Sequence, residues 1–151
     1  MRLDFIDIGY ELFRDKETLQ SDFIAADVFD AKSSLRKLEG TVDVINASSF
    51  FHLFDRDEQK TIALRISKLL RPVKDSLLVG RQVGNEVAGE TPRRDGSGSR
   101  WRHNAESWRN LWMEVGSQTG AKFEVNVSSK PATEDFQRSG DVRMEFTVRR
   151  L

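Results

Sequence analysis

The sequence predicts an α/β domain: a mostly parallel sheet with helices on both faces, closed by a terminal antiparallel strand pair. Three observations carry that expectation. Helical and strand-like stretches alternate along most of the chain, the pattern that builds parallel sheets through helical crossovers. Residues 41–54, Thr-Val-Asp-Val-Ile-Asn-Ala-Ser-Ser-Phe-Phe-His-Leu-Phe, open on β-branched apolar residues (Val42, Val44, Ile45), as a strand buried on both faces does, and then turn small and polar. The last third alternates residue by residue instead, through Phe123, Val125 and Val127 and then Met144, Phe146 and Val148, the signature of two antiparallel strands.

Taken in order, residues 4–14 place Phe5, Ile6, Gly9, Tyr10 and Phe13 at helical spacing, with Asp4 as N-cap. Residues 23–29 form a short apolar run around Ala25 and Ala26 and read as a strand. Residues 33–38 read as a one- or two-turn helix stopping near Gly40, after which the central strand begins. Asp55 and Glu58 have capping-box spacing before Ile62, Ile66 and Leu69, and Arg71-Pro72 ends that helix. Residues 75–83 give another apolar strand. Residues 84–100 carry Gly84 and three further glycines, Pro92, Arg93 and Arg94 without periodicity, and read as a long mobile loop. Asn104 caps a helix running to about Thr119, with Trp108, Leu111, Trp112 and Val115 on one face and Gly120 as its stop. Residues 130–141 are a polar connection between the two final strands.

A chain of 151 residues fits one domain, 1–151, with a buried core. Lys and Arg total 24 against 24 Asp and Glu, so no net field draws the protein to nucleic acid or anionic lipid. The absence of cysteine excludes disulfides, thiolate metal sites and a cysteine nucleophile. No apolar run reaches the roughly 20 residues that span a bilayer, and the expected location is cytoplasmic.

With these elements placed, the sequence resembles the class I S-adenosylmethionine-dependent methyltransferases, and within them the small-molecule enzymes of fungal secondary metabolism, including meroterpenoid pathways. The resemblance is carried by Gly9-Tyr10-Glu11-Leu12-Phe13-Arg14-Asp15, by Ala25-Ala26-Asp27-Val28-Phe29-Asp30, by the central strand through Phe54, and by Trp101-Arg102-His103 onward to Thr119-Gly120. It implies a Rossmann-like methyltransferase fold and S-adenosylmethionine as cofactor. It also implies that the family's first strand, its Gly-rich turn and its second strand are absent, since no Gly-x-Gly occurs near the N-terminus.

The resemblance assigns roles. Asp27 matches the acid that accepts from the adenine amine, and Val28 the backbone N–H that meets a ring nitrogen; the plain alternative is an Asp capping a turn. Asn46 and Ala47 match positions lining the cofactor through backbone groups. Phe50 and Phe51 offer a ring face to a sulfonium, or pack beneath the next helix. His52 and His103, the only histidines, are candidates for a general base, although positioning alone can supply most of the rate of a methyl transfer. No metal is called for. Arg93, Arg94, Arg100, Trp101 and Arg102 form one basic cluster, read as a lid over a polar substrate or as a solvated loop.

The expected function is methyl transfer from S-adenosylmethionine to a small secondary metabolite, against the alternative of a non-catalytic methyltransferase-like remnant that binds a ligand or a partner. The missing strands leave one side of the strand at residues 42–45 to be covered. Either the strand at 23–29 slides inward to pair with it in parallel, which is the preferred expectation, or a second copy covers it in a homodimer.

Overall fold

The computed structural model describes residues 4–93, 95–131 and 140–151. The chain divides into two compact units, Met1–Leu38 and Glu39–Leu151.

In the N-terminal unit, helix α1 spans Asp4–Phe13, so Asp4 lies inside the first turn rather than capping it. Phe5, Ile8, Leu12 and Phe13 are all more than half exposed. Tyr10 meets Phe23 edge to face at 5.7 Å. The expected strand at 23–29 does not form. These residues join no ladder, and Phe23, Ile24 and Phe29 are exposed. Local hydrogen bonds set the path instead: the Asp27 carboxylate accepts from the Phe29 N–H at 2.8 Å and the Asp30 carboxylate from the Lys32 N–H at 2.8 Å. Such Asx turns are the usual competitor of a strand. A 3₁₀ helix, Ser34–Leu38, follows where a short helix was expected.

The second unit contains β1 (Val44–Asn46), α2 (Arg56–Leu69), β2 (Leu77–Asn85), β3 (Gly89–Pro92), β4 (Ser99–Arg102), α3 (Ala105–Thr119), β5 (Phe123–Pro131) and β6 (Asp141–Arg150). Four strands form one sheet in the order β1-β2-β6-β5. Only β1 and β2 are parallel; β2 with β6 and β6 with β5 are antiparallel. The described sheet is therefore mixed, not mostly parallel, because the alternation that suggested parallel strands counted the one at 23–29. The inward shift of that strand is likewise not realised.

β1 is short for a physical reason. Val42 is tied to the end of α2, its N–H donating to the Leu69 carbonyl and its own carbonyl accepting from Arg71. Val44 is 58% exposed, so β1 is not buried on both faces. Helix α2 begins at a complete capping box, Asp55 with Glu58. Helix α3 begins at Asn104 and stops at Gly120, which holds the left-handed conformation at φ 72° that favours glycine. Both helices meet one face of the sheet: Trp108 lies against Phe146, Trp112 against Phe123, and Arg150 donates to the Ser67 carbonyl of α2. The core there comprises Phe51, Ile62, Ile66, Leu78, Trp108, Leu111, Trp112, Val115, Met144, Phe146 and Val148, so the aromatic stripe of α3 is core as expected.

Residues 84–100 are not one long loop. β2 continues to Asn85, and β3 and β4 pair as an antiparallel hairpin. Gly96 and Gly98, at φ 72° and 113°, supply its turn. Much of the connection between β5 and β6 lies outside the described residues, as does Arg94.

Gly84 is required by close approach rather than by conformation. A Cβ there would run into the His103 carbonyl oxygen and Met144 Sδ. Gly84→Ala is expected to cost about 1–3 kcal/mol, the scale of overpacking, read as a lowered urea midpoint. An unchanged midpoint would show that the β4–α3 passage gives way freely.

Candidate functional site at the carboxyl ends of β1 and β2

β1 delivers Asn46 and then a tight turn. The Asn46 side-chain oxygen accepts from the Ser48 N–H at 3.0 Å and from its hydroxyl at 2.7 Å, while the Ala47 and Ser49 N–H groups donate to Val79 and Arg81 of β2. Ser49 holds φ 55°, the left-handed region that costs a residue with a Cβ. That strain sits at the strand end where open α/β sheets bind ligands. Ala47 is buried and Asn46 exposed.

A 3₁₀ turn, Phe51–Leu53, follows. Phe51 is wholly buried, edge to face with Trp108 at 4.9 Å and Phe146 at 6.4 Å. Its ring is committed to packing and presents no open face to a cation. Phe50 packs on Phe54 at 5.2 Å. The β3–β4 hairpin is fastened to this turn: Trp101 N–H donates to the Phe54 carbonyl at 2.9 Å, and Arg93 to the Leu53 carbonyl at 2.7 Å. Gln59 of α2 ties the two together, its amide nitrogen donating to the carbonyls of both Phe54 and Trp101.

Both histidines belong to this unit. Burial, assisted by the charges of Arg102 and Arg100, lowers the His52 imidazole to about 4. Burial also lowers His103 to about 4, Arg56 adding to it and Glu114 opposing it. Both are therefore neutral near pH 7. His103 is 2% exposed, packs on Trp108 at 5.3 Å, and places Nδ1 2.8 Å from the Ser107 hydroxyl.

Asp27 and Val28 lie in the N-terminal unit. One Asp27 oxygen is engaged by the Phe29 N–H, the turn-capping arrangement weighed against an adenine contact. Arg102 is 5% exposed and donates to the Val83 carbonyl at 3.2 Å, so this member of the basic cluster is built into the fold rather than solvated.

The sequence reading passed over Gln82 and Ser107. Gln82 is 4% exposed, and neither amide atom has a hydrogen-bond partner among the described residues. A polar residue inside the apolar stretch 77–83 was the available signal. Ser107 was hidden as the third residue of a capped helix, where serine is ordinary.

No family model matches the chain. Among curated proteins it is 54% identical over 134 residues to the O-methyltransferase phiE of a fungal species, a match covering 88% of this chain and 45% of that protein. It is 38% identical to the O-methyltransferase atr3 of Stereocaulon alpinum, over 98% of this chain and 44% of the relative. The chain thus spans about half the length of the curated relatives it matches. Among solved structures, a Burkholderia thailandensis 1,6-didemethyltoxoflavin-N1-methyltransferase with bound 1,6-didemethyltoxoflavin and S-adenosylhomocysteine superposes with a TM-score of 0.63 at 14% identity, over 93% of this chain and 56% of that one. The mitomycin 7-O-methyltransferase MmcR gives 0.56 at 19% identity, over 96% and 39%. These likenesses show the fold.

Proposed function

We propose that this chain, which belongs to the class I S-adenosylmethionine-dependent methyltransferase family, binds S-adenosylmethionine and serves methyl transfer to a small secondary metabolite as one domain, 1–151. The observation that carries the reading is the 54% identity to an O-methyltransferase across 88% of the chain. The strained turn at the end of β1 supports it, since it places backbone groups and small side chains where the fold binds ligands.

Bound S-adenosylmethionine supplies a methyl group on a sulfonium. The chain's residues position and shield it. The other Asp27 oxygen would accept from the adenine amine and the Val28 N–H would meet a ring nitrogen; Asn46 and Ala47 would contribute backbone groups, and Phe51, packed on Trp108 and Phe146, would support the turn that carries them. His52 and His103, neutral near pH 7, are the proton acceptors for an acceptor hydroxyl. No described helix is long and apolar enough to cross a membrane. A cytoplasmic protein acting on a small molecule, not on nucleic acid or lipid, fits the balanced charge. A homodimer through the edge of β1 is part of the same proposal.

The second reading is a methyltransferase-like protein without catalysis. It is favoured by the engagement of one Asp27 oxygen with the Phe29 N–H, the turn-capping arrangement. Calorimetric titration with S-adenosylmethionine separates the two: micromolar affinity supports the enzyme, and no heat supports the remnant. In the same titration Asp27→Asn is expected to weaken binding by about 1–3 kcal/mol, the scale of a hydrogen bond to a charged group. Equal affinity would remove Asp27 from the site.

A further inference from the structure

The hydroxyl of Ser107 has three neighbours within hydrogen-bond reach. The Asn104 N–H donates to it at 3.0 Å, the Asn104 carbonyl lies 3.2 Å away, and His103 Nδ1 is at 2.8 Å. A serine hydroxyl carries one proton and two lone pairs. All three contacts are hydrogen bonds only if the proton goes to the Asn104 carbonyl and both nitrogens donate. His103 Nδ1 then bears the ring proton, and Nε2 is left with a lone pair. Nε2 is buried and has no partner among the described residues.

It is not alone. Both amide atoms of Gln82 and the indole N–H of Trp108 are also buried without a hydrogen-bond partner among the described residues. Gln82 shares a face of β2 with Gly84, which lies against the His103 carbonyl and Met144, and Met144 is also the residue paired with Gln82 across the sheet. Trp108 packs on the His103 ring. Buried polar groups are nearly always paired, so an unpartnered Nε2 beside the equally unpartnered indole N–H of Trp108 calls for a guest that supplies the bond.

We propose that Ser107 is a positioning residue that locks His103 as its Nδ1–H tautomer, so that Nε2, with the Gln82 amide, receives a hydroxyl group of a bound ligand. A lone pair accepts from an uncharged O–H and repels an oxyanion, which makes the ligand class a neutral hydroxyl compound such as a phenol. That this ligand is the methyl acceptor rests on the methyltransferase reading; the tautomer does not.

The test uses the full chain labelled with nitrogen-15, phenol as probe and toluene as its apolar counterpart. Two-bond nitrogen–proton couplings are expected to place the His103 ring proton on Nδ1, with Ser107→Ala losing that preference and Ser107→Thr restoring it. A purely structural role for Ser107 would not move the tautomer. Phenol is expected to shift His103 Nε2 and the Gln82 side-chain amide while toluene leaves them in place, and Ser107→Ala to weaken phenol by about tenfold, one hydrogen bond's worth. A ring proton found on Nε2, or phenol shifts no larger than those of toluene, overturns the proposal. No cofactor is present, so a chain that ignores S-adenosylmethionine but shows both responses loses the methyltransferase reading and keeps this one.

Discussion

Trp108→Ala is expected to destabilise the protein by about 3–5 kcal/mol, the range for truncating a fully buried large aromatic. The side chain is completely buried and holds four rings at once: Phe146 at 4.6 Å, Phe51 at 4.9 Å, His103 at 5.3 Å and Trp112 at 6.2 Å. Those contacts join α3, the sheet, the turn after β1 and the passage from β4 into α3. Phe51 and Phe146, which border the space, are already packed against each other. Met113, on the same helix and 63% exposed, is the control, and its change to alanine should fall within about 0.5 kcal/mol. Urea titrations of the three proteins decide the matter. A Trp108→Ala midpoint within experimental error of the parent would mean that the ring cluster does not join the sheet to the site. Because Trp108 supports both Phe51 and His103, the surviving folded fraction should also bind ligand more weakly.

What the sequence disclosed follows from how local each signal is. Helices α2 and α3 were readable because the capping-box spacing of Asp55 and Glu58, the cap at Asn104, their apolar faces and Gly120 agree with one another. The β5–β6 pair was readable because alternation survives wherever one sheet face is buried and the other wet. Residues 23–29 failed since an apolar run states only that burial is available, not that a neighbouring strand exists, and the Asx turns at Asp27 and Asp30 captured the backbone instead. The hairpin of β3 and β4 was missed because its anchors are distant in sequence: carbonyls of Leu53 and Phe54 and the amide of Gln59 hold it, and no pattern within 84–100 encodes them. At the site, His52 and His103 were visible as the chain's only titratable rings near neutrality. Their neutral state was not, since it depends on burial that only the fold supplies.

That burial has a consequence for stability against pH. His103 falls to about 4 in the native protein from an ordinary 6.5, with burial as the main cause. Between those values the unfolded chain takes up a proton that the native chain refuses, so protonation favours unfolding. Stability is whole above about pH 6.5 and declines as pH falls towards 4. Going from pH 7 to pH 5, His103 alone should remove about 2 kcal/mol by this linkage. His52, lowered to a similar value but less deeply buried, adds a smaller loss of the same sign. Glu114, whose carboxyl is held below its usual range chiefly by the hydrogen bond from Lys60, works in a separate window, losing its contribution only below about 4.5. Urea midpoints measured at pH 7 and pH 5 should therefore fall, and His103→Gln should flatten more of that fall than His52→Gln does. A parent midpoint that does not move between the two pH values would show that His103 takes up its proton in the native state as readily as in the unfolded chain. The lone pair assigned to its Nε2 would then be lost by pH 5.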